Sequence, residues 1–415
     1  MKLLPRALPW IRILFVLIAI ASQCNGQDWS QWRGPTRDGI ARNFSAPARW
    51  PEQLKEKWRV EVGIGHSSPV VSGQRVFVLS RQGDREVVSC FDLGAGRMIW
   101  QDSYPVAYTM NPAAVTHGKG PKSTPIIDNG RLFTLGITGV ISCYDASTGS
   151  LKWRKEFSKE FKQTSPDYGT AMSPLVYKGR LVAHVGGNDS GALVALDVNS
   201  GDLKWKWGGD GPGYASPIVV TTDGVEQIVT QSQKFIVGVS PANGELLWSI
   251  PFETEYVQNI VTPAAYKDLL ILSGLDKGTM AVRVARKNGK WTPEQVWKNP
   301  DVSMYMNSPV VIGDAVYGLS HKRKGQLFCL DARTGKTLWT SAGREGDNAA
   351  VVSAPDLMFV LTDSAELTLV RTNPAHLEVV KKYTVAKSPT WAHPVLTGNG
   401  LLIKDVSSLA LLSLQ

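Results

Sequence analysis

Cysteine and histidine are scarce in this 415-residue chain, with four of the first and six of the second. No two cysteines are neighbours, and no "CxxCH" run is present to attach a haem. Neither "HExxH" nor a histidine pair at metal-ligand spacing occurs. A "GxSxG" elbow between strand and helix, a Walker-type "GxxxxGK[ST]" and a strand-anchored "GxGxxG" are missing too. Their absence removes the usual signatures of serine hydrolases, P-loop NTPases and dinucleotide enzymes. Long apolar runs are lacking beyond the N-terminus. The run there, "ILFVLIAIA" (13–21), is too short to cross a bilayer as a helix of about 20 residues. It follows Lys2, Arg6 and Arg12 and precedes small residues, which is the layout of a secretion signal. Residues 1–26 are therefore expected to be a signal peptide, cleaved after Ala21 or Gly26. The mature chain is expected to be periplasmic or secreted, with no transmembrane segment. Gln23 stands where a lipobox needs a small residue, so no lipid anchor is expected at Cys24.

Concentrated charge is also lacking. The formal +9 falls to +6 without the three cations of the signal, and the remaining lysines and arginines are scattered. The densest basic run, "HKRKG" (321–325), is short, and no basic face carries interleaved aromatics. Nucleic-acid binding is not expected.

Repetition is what the chain has in quantity. A hydroxyl residue, a proline and a strand recur as "SSPVV" (67–71), "STPII" (123–127), "MSPLV" (172–176), "ASPIV" (215–219), "VTPAA" (261–265) and "NSPVV" (307–311). Weaker copies are "AAVV" (349–352) and "AHPVL" (392–395). The hydroxyl position reads Ser68, Thr124, Ser173, Ser216, Thr262 and Ser308, then Ala350 and His393. A second unit appears as "DLGAGRMIW" (92–100), "DASTGSLKW" (145–153), "DVNSGDLKW" (197–205), "PANGELLW" (241–248) and "DARTGKTLW" (331–339), with a longer copy, "KNGKWTPEQVW" (287–297). The glycine suits a hairpin residue in the left-handed region, and the aspartate can hold the turn through backbone amides. Trp58, Trp100, Trp153, Trp205, Trp248, Trp297 and Trp339 follow one another 42 to 53 residues apart. A period of that length, built of strands, predicts a β-propeller with one four-stranded blade per repeat. Each tryptophan ends an outer strand, where it can wedge between blades at a gross gain of about 4–6 kcal/mol.

Counting gives an all-β, eight-bladed propeller of antiparallel blades. The eighth has only three C-terminal strands, and "EKWRVEV" (56–62) is left unpaired ahead of the first. Pairing the two ends closes the ring and removes a sheet edge. Blade seven is irregular: "RTNPAHLEVVKKY" lacks the glycine and puts Tyr383 where tryptophan would stand. The expected organisation is a signal (1–26), an extended lead-in (27–54) and the propeller (55–415). Cys90, Cys143 and Cys329 share one repeat position in different blades, so three separate buried thiols are expected.

The "D-x-x-T-G-x-x-x-W" unit, as in "DASTGSLKW" and "DARTGKTLW", resembles the pyrroloquinoline quinone (PQQ)-like repeat family of β-propellers. The likeness covers about residues 55–415, and the flank "QWRGPTRDG" (31–39) is similar to the lead-in of exported members. One branch of that family, the quinoprotein dehydrogenases, implies PQQ and calcium in the ring and oxidation of alcohols or sugars. The other, BamB-like, implies a non-catalytic scaffold in outer-membrane protein assembly. The dehydrogenases' vicinal cysteine pair has no counterpart here, no set of calcium ligands can be placed, and the length is nearer the scaffolds. The BamB-like branch is favoured, with no cofactor expected; PQQ and calcium belong to the alternative.

In such a ring the links between blades surround the mouth of the central channel. They offer His66, Lys122, Tyr168, Tyr214, Tyr256, Asn259, Tyr305, Asp347, Asn348, Trp391 and His393. Aromatic and amide groups round one opening suit a polar ligand, a sugar or a peptide; the alternative is that they only pack the mouth. "GGNDSG" (186–191) looks like a cation loop but lacks EF-hand spacing, and a hairpin turn is expected. The long inserts 101–122 and 154–172 are the expected contacts for a protein or peptide partner, with a saccharide as a further possibility. The chain is expected to act as a monomer, as a binding module and not an enzyme.

Overall fold

Apolar residues fill the two middle strands of most repeats without alternating. A strand of that kind must be covered on both faces. The computed structural model, which describes residues 28–398 and 400–415, shows how. Eight four-stranded antiparallel sheets stand round an axis, and each middle strand is sandwiched between neighbouring blades. Arg75–Gln82 and Arg85–Asp92 of blade one are buried along six consecutive residues each, whereas the outer strand Met98–Pro105 is mostly open. The core is therefore a set of apolar layers between blades, not one central cluster. The signal-peptide reading of residues 1–26 falls outside the described residues.

Blades one to seven each run in chain order from a short inner strand to an outer strand. Blade eight takes three strands from the C-terminus, and its outer strand is Lys55–Glu61 from the other end of the chain. Trp58 there pairs with Leu411 and Val60 with Leu409, past a bulge between Glu56 and Trp58. The expected closure is thus present.

The turn unit does more than turn. The aspartate holds the hairpin as expected: Asp145 Oδ1 accepts from the Ser147 and Thr148 amides at 3.0 and 3.1 Å. Gly149 sits at φ 77°, in the left-handed region. A Cβ there would also lie 2.5 Å from the indole of Trp100 in the preceding blade. That indole donates to the Ala146 carbonyl of the same turn at 3.2 Å. The next two joints repeat the arrangement, Trp153 to Val198 O and Trp205 to Pro241 O. Glycine is needed twice over, for its φ and for the indole laid against it. Cys90, Cys143 and Cys329 are separate buried thiols, pushed up to about 12 by burial.

The hydroxyl–proline unit forms a second ring. Thr124 Oγ1 accepts from the Ser68 amide at 3.2 Å, Ser173 Oγ from Thr124 at 3.0 Å, and Ser216 Oγ from Ser173 at 2.9 Å. Thr262 and Ser308 continue the series, and Ser68 itself accepts from the His393 amide at 2.9 Å. Each blade is thereby tied to the next round the axis, except on either side of blade seven, where Ala350 and His393 bring no hydroxyl.

Candidate functional site

The lead-in crosses the axis beneath this ring. Its backbone pairs with blade one at Trp29 and Val71 and reaches blade seven at Ile40 and Ser353. Between those points Arg33 and Arg37 are buried. Arg37 donates to the carbonyls of Ser173, Pro174 and Pro217 at 2.9–3.0 Å, and Arg33 to Pro309 O at 2.5 Å. Two guanidiniums are thus spent on inner-strand carbonyls of three blades. Burial pulls both below their ordinary range, to about 10 for Arg33 and about 9 for Arg37.

Trp32 faces the other way and floors a cavity of about 520 Å³ at the opposite mouth. Nine of the eleven residues proposed from the inter-blade links line it; Asp347 and Asn259 are not among the lining residues. Asn259 is fully buried, and its amide nitrogen donates to the carbonyls of Ser232, Gln233 and Phe252. On one wall Trp391 meets the rings of His117 and His66 at 4.8 and 5.8 Å, and His393 meets Trp32 edge-on at 5.5 Å. On the other, Tyr168 packs edge-on against Tyr214 at 6.0 Å, and Tyr305 donates to Gln258 Oε1. Tyr256 stands at the rim, two-thirds exposed. Hydroxyls of the inter-blade ring, including Ser68, Thr124, Ser216, Thr262 and Ser308, complete the lining.

Sequence reasoning missed Trp32 and His117. Trp32 belongs to a flank noted only for its likeness to a family lead-in, and nothing local says that it reaches the axis. His117 lies in the insert 101–122, where the short helical turn Pro112–His117 carries it over the cavity. It accompanies His66, whose Nε2 bonds the His117 carbonyl at 2.9 Å.

The cavity is nearly uncharged. It is lined by one lysine and by no aspartate or glutamate. Burial lowers Lys122 to about 8, and its ammonium already donates to the Tyr168 carbonyl. Burial, helped by Lys404 and Lys122, lowers His66 to about 3; burial beside Arg33 does the same to His393. Burial lifts Tyr305 to about 12 and raises Tyr214 as well, so the phenols stay protonated. Two buried polar atoms of the lining lack a protein partner, Asn348 Oδ1 and His393 Nδ1.

These donors do not fit the calcium and quinone of the dehydrogenase branch. A divalent cation here would meet no carboxylate, and the three described cysteines lie buried in separate blades. No cluster of three or more His, Cys, Asp or Glu at metal-binding range occurs among the described residues. "GGNDSG" forms a tight hairpin with Gly187 opposite Ser190, as expected. No helix among the described residues is long and apolar enough to cross a membrane.

Comparison with known proteins places the ring. A family model described as "Outer membrane protein assembly factor BamB" matches residues 84–341. The protein of that name from Shewanella oneidensis is 28% identical over 55% of this chain. The match spans 59% of that relative, less than two thirds of its length. Among solved structures, BamB from Moraxella catarrhalis superposes with a TM-score of 0.62 at 15% identity, covering 87% of this chain and 99% of that one. The quinohemoprotein alcohol dehydrogenase of Comamonas testosteroni gives 0.65 at 13% identity, covering 94% of this chain and 80% of its own. At such identities both structures speak for the fold alone.

Proposed function

The chain belongs to the family described as outer membrane protein assembly factor BamB, and from that membership we propose that it is an exported, non-catalytic propeller that binds a protein partner in outer-membrane protein assembly. In this reading residues 1–26 direct export, 27–54 lead in and brace the ring, and 55–415 form the propeller, acting as a monomer in the periplasm. The partner meets the face that carries the cavity mouth. The inserts 101–122 and 154–172 rise there on a ring locked by indoles and hydroxyls, so they present a fixed surface at small entropic cost. The single observation that carries the non-catalytic side is the lining itself. A mouth without carboxylates offers neither calcium ligands nor a general base of the acid class.

The test changes exposed side chains of both inserts together, Thr109→Asp, Val115→Asp and Thr116→Asp in the first and Lys159→Glu and Lys162→Glu in the second. Capture of outer-membrane assembly components from envelope extract of the native organism is expected to fall at least tenfold, with the melting temperature unchanged. Undiminished capture removes the docking face. Dye-linked oxidation of an alcohol or aldose after addition of PQQ and Ca²⁺ to the wild type overturns the non-catalytic reading.

A further inference from the structure

The cavity poses a question that docking of a protein on the rim does not answer: what its interior chemistry recognises. Three features decide it. The first is shape. Trp32 floors the well, and Arg33 and Arg37 behind it are tied to inner-strand carbonyls, so the well is blind and admits the end of a molecule rather than a threaded chain. The second is charge. No carboxylate lines the well, its histidines are neutral at pH 7, and Lys122 is already bonded to Tyr168 O. A peptide end carries a full charge unless it is blocked. The well has no carboxylate to neutralise an ammonium, and its only lysine is engaged.

The third feature is the hydrogen-bonding inventory. Ser68, Thr124, Ser216, Thr262 and Ser308 each accept a neighbouring amide, and none of them has a protein acceptor for its own O–H among the described residues. Asn348 is 6% exposed, and its amide oxygen has no donor. Free donors and a free acceptor thus line the same space. A carboxylate satisfies only the first and an ammonium only the second, whereas an alcohol both donates and accepts. Around these groups stand the rings of Trp32, Trp391, Tyr168, Tyr214 and Tyr305, flat apolar surfaces on which the C–H face of a pyranose can lie. The volume, about 520 Å³, falls within the usual range for a small-molecule site, about 300–1,000 Å³.

We propose that the cavity is a binding site for the uncharged end of a saccharide chain. Asn348 accepts from a sugar hydroxyl, the hydroxyl ring donates to others, and the indole of Trp391 packs on a ring face. This goes beyond the docking reading and does not depend on it: docking uses exposed side chains of the inserts, whereas the sugar contacts named here, the hydroxyl ring, Asn348 and Trp391, all lie outside 101–122 and 154–172.

The experiment is calorimetric titration of the mature protein with maltotriose, cellotriose and triacetylchitotriose. PQQ and a peptide with a blocked amine and a free carboxyl terminus serve as competitors. At least one neutral trisaccharide is expected to bind, with a loss of about tenfold in each of Trp391→Ala and Asn348→Ala, the worth of one good contact. The Asn348 side-chain oxygen bonds no protein group, so truncation of the side chain is expected to leave the melting temperature unchanged while affinity drops; a merely structural role would give the reverse. Silence of all three saccharides at millimolar concentration overturns the proposal. So does tighter binding of the peptide or of PQQ, or undiminished affinity in both variants. Capture by the variant changed only at exposed insert side chains reads the docking surface separately, so the two readings fail independently.

Discussion

Blades two and three meet over an indole and a glycine, and blades four and five meet over neither. At the first joint Trp153 donates to the Val198 carbonyl of the next blade, and Gly201 lies against its ring. At the second, Trp248 turns inward and donates to Gln227 Oε1 of its own blade at 2.6 Å. The glycine of the facing turn, Gly289, has open space on its Cβ side. An apolar patch takes over there. The hairpin of blade five is lengthened, its arms running Gly278–Lys287 and Lys290–Asn299. Val282 and Val284, with their strand neighbour Leu270, share an apolar cluster with Trp248 of blade four, and Trp291 packs beside it. The Arg286 amide also donates to Asp223 of blade four at 2.9 Å. The same tryptophan and turn glycine, at matching sequence positions, thus serve two different joints. What decides between them is the length of the neighbouring hairpin, four residues of insertion that move the turn away from the indole.

The contrast is sharpest in the glycines. Gly149→Ala puts a methyl where Trp100 lies 2.5 Å away and forces alanine into φ 77°, whereas Gly289→Ala meets only the second penalty at φ 79°. The first is expected to cost roughly 2–4 kcal/mol, overpacking added to backbone strain, and the second about 1 kcal/mol. Denaturant midpoints of the two variants measure the difference. Equal losses show that the indole contact contributes nothing and that backbone conformation alone selects the glycine.

The hydroxyl ring shows the same division on a finer scale. Blades one to six bring Ser or Thr to the axis; blade eight brings His393, neutral in the fold because burial and Arg33 hold it near 3. The unfolded chain takes up a proton on this side chain near 6.5, so between about pH 6.5 and 3 the unfolded state binds more protons. Stability therefore falls as the pH drops through that window, by about 1.4 kcal/mol per unit for each such group, and levels off below it. His66 acts in the same sense. His393→Gln is expected to flatten the acid limb of a stability-against-pH curve relative to wild type. Superimposable limbs rule out a buried neutral histidine at this place.

How much of this could be read from residues alone follows from what repeats. Blade number, the borrowed strand Lys55–Glu61 and the irregular Tyr383 were legible because each copy of the turn unit marks one outer strand. The purpose of the serines and threonines was not, since a hydroxyl before proline also reads as local turn chemistry. Only closure places Thr124 against the amide of Ser68, 56 residues away. The lead-in was opaque for the same reason. Nothing in "QWRGPTRDG" says that Arg37 reaches blades three and four or that Trp32 floors a cavity. The mouth was easier, because an inter-blade link has only one place to go. Asn259 shows the limit of that argument: it sits in such a link, yet its side chain turns down to backbone carbonyls.

The smallest effect concerns the gap in the ring. Thr262→Val keeps the shape but leaves the Ser216 amide, now 2.9 Å from a hydroxyl, without its acceptor. An orphaned buried donor costs about 1–3 kcal/mol. Ala350 occupies the corresponding place in blade seven, where the strand pairing Ala354–Leu357 sets the same register as Ser72–Arg75 of blade one. A hydroxyl there would stand opposite the amide of Ser308. Ala350→Ser is therefore expected to stabilise the fold by about 0.5–1 kcal/mol, the net worth of one neutral hydrogen bond. Measured beside Thr262→Val by the same denaturant titration, a gain in one and a loss in the other would mark the ring as an inter-blade tie. A loss in both would mean that blade seven packs its neighbour through the apolar contacts of Val351 and Val360 alone, and that the gap in the ring is part of how that joint is built.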